Sequence, residues 1–378
     1  MSDFTRTLLL WFQANGRELP WRQTRDPYAI WLSEVILQQT RIQQGWEYWE
    51  RFMRRWPTVE ALAAATEDEV LREWQGLGYY SRARNLHFAA KQIVARGSFP
   101  DTLEEIKRLK GVGDYTAAAI GSIAFDIPAA VVDGNVYRVL SRYFGVSTPI
   151  NSTEGKKEFA ALAQSLLEET GRVTPAGKPS GTELAGTGTP GKEAAAFNQA
   201  MMDFGAIQCT PQSPRCLLCP VQETCVALRE GRVGELPVKL RTLKVKERHL
   251  TYIYIRCNGE TAIHRRGEGD IWQGLWEPLV MDNGPLGDDR RRFACEEWIM
   301  DNWAAQNNDQ WLMVNCQLLA SHIKHVLTHR VIYADFWLWE TKEKPSVPDG
   351  YIWIKESDIS NYAVPRLTEI LLESLPPR

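Results

Sequence analysis

The stretch C-T-P-Q-S-P-R-C-L-L-C-P-V-Q-E-T-C at 209–225 holds Cys209, Cys216, Cys219 and Cys225, four of the seven cysteines of the chain, at the spacing C-x6-C-x2-C-x5-C. Four thiolates this close in sequence suit a single metal centre. A structural zinc site usually shows two close C-x2-4-C pairs, whereas a compact, uneven run of four is what a cubane 4Fe–4S cluster uses. The cluster is the expected cofactor and zinc the alternative. Disulfides are the weaker reading, because nothing marks the chain for export: residues 1–16 carry an apolar patch at 8–12 but no signal-peptide core, and nowhere do about 18 apolar residues run uninterrupted. The compartment is read as reducing and cytoplasmic, with Cys257, Cys295 and Cys316 as ordinary buried thiols.

Outward from this run, the 378 residues suffice for two cores, and 44% hydrophobic residues, 24% charged residues and 15 Trp describe a well-packed globular protein. The net charge of −3 announces no polyanionic ligand. Charge is distributed unevenly: 1–225 is close to neutral, 226–248 is basic and 249–378 is acidic. DNA, if it is the partner, must be held by local basic patches and backbone amides.

Up to Cys225 the apolar periodicity is helical, as at 58–74 and 86–95, so 1–225 is expected to be an all-α domain. The basic, Pro-interrupted stretch 226–248 reads as a linker. Beyond it, 252–255, 331–340 and 351–354 read as strands, and 288–303 and 364–375 as helices, giving an α+β domain over 249–378. The Gly- and Pro-rich segment 175–191 is too poor in apolar residues to pack and reads as a flexible surface loop.

Leu109-Lys110-Gly111-Val112-Gly113 lies between helix-like residues and the small-residue run 115–125, a helix-hairpin-helix pattern over about 104–125. Such a turn aims backbone N–H groups and the next helix N-terminus at a DNA phosphate, with Lys110 adding charge. The plain alternative is a glycine-capped helical turn.

With the hairpin, an aspartate about twenty residues later and the cysteine run, the chain resembles the endonuclease III superfamily of DNA glycosylases. Within it, it is most similar to the A/G-specific adenine DNA glycosylases of the MutY family. The resemblance covers nearly the whole length and rests also on L-P-W-R at 19–22, W-L-S-E-V-I-L-Q-Q-T at 31–40, G-L-G-Y-Y at 76–80, V-D-G-N-V at 132–136 and F-N-Q-A at 197–200. It implies base excision repair on double-stranded DNA, by a monomer, at adenine opposite 8-oxoguanine or guanine.

The chemistry calls for two carboxylates. Breaking the bond from deoxyribose to adenine expels a poor leaving group and leaves positive charge on the sugar, so one acid and one anion are needed. Asp26 and Pro27 start a helix as N-cap and first residue, which sets Glu34 two turns in among Ile30, Trp31, Val35 and Leu37; apolar surroundings raise a carboxylate's pKa and leave it a proton to give. By pattern alone, Glu34 on a solvated face is the plainer reading. The resemblance matches Glu34 to the acid that protonates adenine N7. Asp133 precedes a helix at about 136–143, where the dipole favours the ionised form. Pattern alone makes it a simple N-cap; the resemblance matches it to the aspartate that faces C1′ and stabilises the oxocarbenium ion, with Asn135 orienting it or a water. Tyr115 stands where bifunctional relatives carry a Schiff-base lysine, so no amine is available for strand cleavage.

The resemblance further implies base flipping, with Gln39, Thr40, Leu77, Gly78 and Tyr79 as wedge and contacts to the estranged base, and Trp21, Arg22 and Gln199 as walls of the adenine pocket. Tyr79, Tyr80 and Trp21 read equally as core side chains. The second domain is similar to the Nudix-related domain with which this family senses 8-oxoguanine; Leu327, Thr328 and His329 align with its recognition loop, although Leu327 and Thr328 depart from the usual aromatic and serine. The R-F-A-C-E-E run at 292–297 echoes the middle of the Nudix hydrolase motif, but Phe293 replaces one glutamate and both flanking elements are missing, so metal-dependent hydrolysis is not expected. A pyrimidine-directed glycosylase/lyase is disfavoured by Tyr115 and by the second domain. A non-catalytic cluster-bearing DNA-binding protein leaves Glu34 and Asp133 without a joint purpose.

Overall fold

The computed structural model describes residues 2–171, 190–240, 245–282 and 315–377. Residues 175–189 of the expected loop 175–191, the helix at 288–303, the run 292–297 and Cys295 lie outside the described residues, whereas Pro190 and Gly191, read as loop, begin a helix, where Pro at the first position is no obstacle. The chain folds into two compact units, Met1–Ala64 with Asn85–Arg241, and Ala65–Arg84 with Thr242–Arg378. Among the described residues no helix is long and apolar enough to cross a membrane.

The first unit is helical: α1 Asp3–Asn15, α2 Pro27–Leu37, α3 Ile42–Arg55, α4 Val59–Ala64, then α6 Ser81–Arg96, α7 Leu103–Lys107, α8 Asp114–Ala124, α9 Gly134–Phe144, α10 Thr153–Gly171, α11 Pro190–Asp203 and α12 Val226–Arg229, with α6 entering from the boundary segment. Its core gathers Phe4, Leu8, Val136, Leu140, Phe159, Phe197 and Phe204. The pattern at 58–74 is not one helix. It breaks after Ala64, because Thr66 N-caps α5 (Glu67–Trp74) in a capping box with Glu69. The described part of the basic stretch read as a linker, up to Leu240, is held against the first unit. Val226–Arg229 is helical, the Arg142 guanidinium donates to Leu236 O (3.1 Å), and Ile150 N and Asn151 Nδ2 donate to Val238 O (3.0 Å) and Leu240 O (2.9 Å).

Among the described residues, the second unit is built on a seven-stranded sheet of order β3-β2-β1-β6-β5, with β4 also paired to β1 and β7 to β2. The strands are β1 Lys246–Cys257, β2 Glu260–Arg265, β3 Trp276–Glu277, β4 Leu279–Asp282, β5 Asn315–Val326, β6 Arg330–Thr341 and β7 Tyr351–Lys355; α13 spans Arg366–Glu373. β1 and β6 run parallel, Tyr252 opposite Phe336 and Tyr254 opposite Leu338. Both faces of β1 are covered: Leu250, Tyr252 and Tyr254 pack with Leu367 and Leu371 of α13, and Ile253 and Ile255 pack with Trp337 and Trp339. That explains the unbroken Tyr-Ile-Tyr-Ile run, since a central strand has no solvated face to mark with polar residues. Segment 65–84 belongs to this unit through Arg265, which pairs with Glu67 (2.8 Å) and Asp68 (3.3 Å), and through Arg84 Nη1, which donates to Gln273 O (2.6 Å).

Candidate active site

Helix α2 begins as the sequence dictates: Asp26 accepts from Tyr28 N (3.1 Å) and Pro27 needs no acceptor at the first position. The cap sets the phase that carries Glu34 inward, 8% exposed, not onto a solvated face. Glu34 lines a cavity of about 460 Å³ shared with Arg17, Trp21, Arg22, Gln39, Thr40, Arg41, Tyr115, Asp133, Asn135 and Gln199. Tyr115 Oη donates to Glu34 Oε2 at 2.8 Å. Burial pushes the Glu34 pKa up to about 7, helped by the Asp133 charge and opposed by the Tyr115 hydrogen bond and Arg22. Near neutrality this carboxyl holds a proton for part of the time.

Asp133 N-caps α9 and accepts from Val136 N (2.8 Å) through Oδ1 and from Asn135 Nδ2 (2.8 Å) through Oδ2. The helix terminus was expected to favour its ionised form. Burial wins instead and raises the pKa, although the bonds from Val136 and Asn135 and the charge of Arg138 oppose it. Asn135 in turn accepts from Arg138 Nη2 (2.8 Å), while Arg138 Nε donates to Cys209 O (2.7 Å). The carboxylate is thus held from behind by a continuous hydrogen-bonded series.

Trp21 serves both readings: it is 6% exposed, meets Trp46 and Trp49 edge-on and still borders the cavity. Arg22 is held by Asp203 through Nη1 (2.8 Å) and Nη2 (2.9 Å). Asp203, Arg17 and Arg138 escaped the sequence reading. An acid inside the apolar run Met-Met-Asp-Phe at 201–204, and two arginines four apart on α9, Arg138 and Arg142, were the available signals of buried pairs.

In the hairpin, Gly111 has φ +79°, and a Cβ there would lie 2.7 Å from Asn85 Cβ, so only glycine fits. Val112 is buried, whereas Lys110 and Gly113 are exposed. The Lys110 N–H donates to Gln92 Oε1 (2.8 Å), so this one amide is not free for a phosphate. In the second unit, Tyr79 sits at φ +47° and is 48% exposed while Tyr80 is buried, so one ring is presented and one packs. Arg82 braces that turn, its guanidinium 5.6 Å from the Tyr79 ring and 5.0 Å from the Trp74 ring, and Trp74 Nε1 donates to Gly78 O (3.0 Å). Leu77 is 9% exposed and anchors the same turn. Leu327, Thr328 and His329 form the connection from β5 to β6; Leu327 packs on the sheet core, Thr328 and His329 are exposed, and the Thr328 hydroxyl hydrogen-bonds the Tyr79 hydroxyl.

Cys209, Cys216, Cys219 and Cys225 line one small cavity with Arg142, Tyr143 and Val221. Among the described residues no three Cys, His, Asp or Glu side chains are grouped to hold a single metal ion. A zinc ion would need the sulfurs in one coordination sphere at about 2.3 Å, whereas a cluster gives each thiolate its own iron around a wider space. Among the described residues, four cysteines and no histidine or carboxylate line the cavity, a donor set that suits a 4Fe–4S cluster. Burial raises the Cys219 thiol to about 11, opposed by a backbone hydrogen bond from Val221 and helped by Cys209, Cys225 and Cys216; a bound cationic centre would reverse that balance. Of the other thiols, Cys257 is buried and Cys316 half-buried.

The family model of the HhH-GPD superfamily of base excision DNA repair proteins matches residues 32–168, and that of the NUDIX domain matches 251–374. The chain is 42% identical over 251 residues to an adenine DNA glycosylase of Rattus norvegicus, covering 63% of this chain and 44% of the rat protein. It is 33% identical over 276 residues to the adenine DNA glycosylase of Buchnera aphidicola subsp. Schizaphis graminum, covering 72% of this chain and 73% of that one. It thus spans less than half the length of the rat relative. Among solved structures, a thermostable thymine-DNA glycosylase aligns at a TM-score of 0.51 and 30% identity, over 60% of this chain and 95% of that one. The hairpin glycosylase fold, the Nudix-like sheet that follows it and these relatives agree: the chain belongs to the adenine DNA glycosylase family.

Proposed function

We propose that this protein is a monofunctional DNA N-glycosylase of base excision repair that hydrolyses the bond between deoxyribose and adenine, where adenine lies opposite 8-oxoguanine or guanine. The observation that carries the reading is the pairing of Glu34 with the Tyr115 hydroxyl in a cavity that also holds Asp133. Its volume of about 460 Å³ falls in the ordinary range for a small-molecule pocket, roughly 300–1,000 Å³. The adenine nucleotide leaves the duplex to reach it, and Gln39, Thr40, Leu77, Gly78 and Tyr79 fill and brace the gap. Trp21, Arg22 and Gln199 wall the base. Glu34 gives its proton to adenine N7, which makes the base a neutral leaving group, while Asp133, held by Asn135, stabilises the positive charge growing at C1′. Tyr115 offers no amine, so the sugar is captured by water and the strand stays intact.

The hairpin around Lys110, Gly111, Val112 and Gly113 grips backbone phosphate. Cys209, Cys216, Cys219 and Cys225 hold a 4Fe–4S cluster that orders their loop and presents the exposed Arg215 to DNA. Residues 249–378, through Leu327, Thr328 and His329, read the base opposite the adenine. The protein acts as a monomer on cytoplasmic DNA.

Duplexes carrying adenine opposite 8-oxoguanine, adenine opposite guanine, or an oxidised pyrimidine, incubated with and without subsequent alkali, test the reading. Expected are breaks at adenine in the first two, only after alkali. Breaks without alkali, or at the pyrimidine, overturn it. Purified protein is expected to be brown with about four irons per chain; one zinc and no iron in anaerobic preparations overturns the cluster.

A further inference from the structure

Asp203 ends α11, immediately before the π-helical turn Phe204–Gln208, and is fully buried. It accepts from Arg17 N (2.9 Å), Arg17 Nε (2.9 Å) and Arg17 Nη2, and from Arg22 Nη1 (2.8 Å) and Nη2 (2.9 Å). Arg22 Nη1 also donates to Arg17 O (3.0 Å), which ties the three residues together. Arg17 and Arg22 both line the cavity that Glu34 lines, whereas Asp203, which binds both guanidiniums, is not among the lining residues. From this geometry we infer that Asp203 is a positioning residue of the adenine cavity: it fixes Arg17 and Arg22 at the wall and cancels one of their two charges, and so sets the pH range in which Glu34 works. The inference rests on the reading of Glu34 as the acid.

The titratable and charged groups that share the cavity with Glu34 are Tyr115 on α8, Asp133 at the start of α9, and Arg17, Arg22 and Arg41 on the connections around α2; of these Tyr115, Asp133 and Arg22 act on its charge. Tyr115 is fixed by its own hydrogen bond, and Asp133 is held by Val136 and Asn135. Arg22 opposes the rise of the Glu34 pKa. How strongly it does so depends on its counter-charge. Burial alone would raise the Asp203 pKa, yet the hydrogen bonds from Arg22 and Arg17 outweigh it and hold the carboxylate below its usual range, so the counter-charge is present throughout the working pH. Arg17, Arg22 and Asp203 together carry one net positive charge.

The test is single-turnover adenine release from an adenine–guanine duplex by full-length protein across pH. A general acid is active while protonated, so the rate falls as pH rises through its apparent pKa. Asp203→Asn keeps the shape and raises the net charge of the trio, so the midpoint of the falling limb moves down by about one unit, the size of effect of one nearby charge. Arg22→Gln moves it up. The double variant restores the net charge and returns the midpoint to near that of the parent. Only midpoints are compared, since Arg22 walls the base and its loss lowers the rate in other ways. Midpoints that coincide, or a reversed order, overturn the inference. If Asp203→Asn does not fold, Arg22→Gln against the double variant makes the same comparison. Failure of the parent to release adenine, or full activity of Glu34→Gln, sinks the underlying assignment instead; an active parent with an inactive Glu34→Gln and unmoved midpoints sinks only the role of Asp203.

Discussion

Glu34 on α2 and Glu277 on β3 are both buried glutamates, and burial pushes the pKa of each upward. Their company differs. Glu277 is fully buried, with Oε1 on the Arg266 guanidinium and Oε2 accepting from Tyr252 Oη (3.4 Å), so both oxygens are engaged. Glu34 has one hydrogen-bond partner among the described residues, Tyr115, and borders a cavity able to take a base. A raised pKa therefore does not by itself mark an acid catalyst. What separates the two is whether the counter-charge already fills the site: Arg266 turns Glu277 into a sheet-locking ion pair, whereas Asp203 draws Arg22 away from a full claim on Glu34.

The largest effect expected from this contrast is at Glu34. Glu34→Gln keeps the volume and removes the acid, so single-turnover adenine release falls by roughly 10²–10⁴-fold with DNA binding little changed. Asp133→Asn loses about 10²–10³-fold by removing the anion opposite the developing charge. Near-normal rates in either variant would erase the contrast. At Glu277 the damage should fall on folding: Glu277→Gln removes one of the two carboxylates paired with the buried Arg266 and leaves Asp270 as the other, at a cost of roughly 1.5–3 kcal/mol measured by denaturant unfolding, while folded protein still releases adenine from an adenine–guanine pair. A selective loss of chemistry without loss of stability would put Glu277 in the wrong class.

A smaller effect sharpens the comparison within the cavity. The Tyr115 hydroxyl stabilises the charged form of Glu34, so Tyr115→Phe raises the acid's pKa, and activity persists to higher pH by about one unit. A limb moving to lower pH would show that the hydroxyl acts otherwise. The smallest change is expected in the second unit: Leu327→Ala with Thr328→Ala leaves cleavage of adenine opposite guanine intact and shrinks the preference for adenine opposite 8-oxoguanine by about 1 kcal/mol, one hydrogen bond's worth. An undiminished preference, measured at one salt concentration, removes this loop from lesion sensing.

Much was legible without coordinates because it depends on neighbours in sequence. The Asp26–Pro27 start of α2, the glycines of the hairpin, the spacing of the four cysteines and the two-sided apolarity of β1 are local requirements of caps, turns, ligand geometry and strand burial. Periodicity alone could not decide that Glu34 points inward, that burial outweighs the helix terminus at Asp133, or that segment 65–84 packs with 242–378, because each depends on what approaches from a distant part of the chain. The same holds for Asp203. In sequence it is one acid among methionines; folded, it meets Arg17 and Arg22, more than 180 positions earlier. A carboxylate excluded from water must find its counter-charges wherever the fold brings them. The sequence by itself determined which chemical groups this protein owns and which helices and strands carry them; only the tertiary structure decided which charges face each other in a low-dielectric interior, where a pKa, and with it a proton's availability, is set.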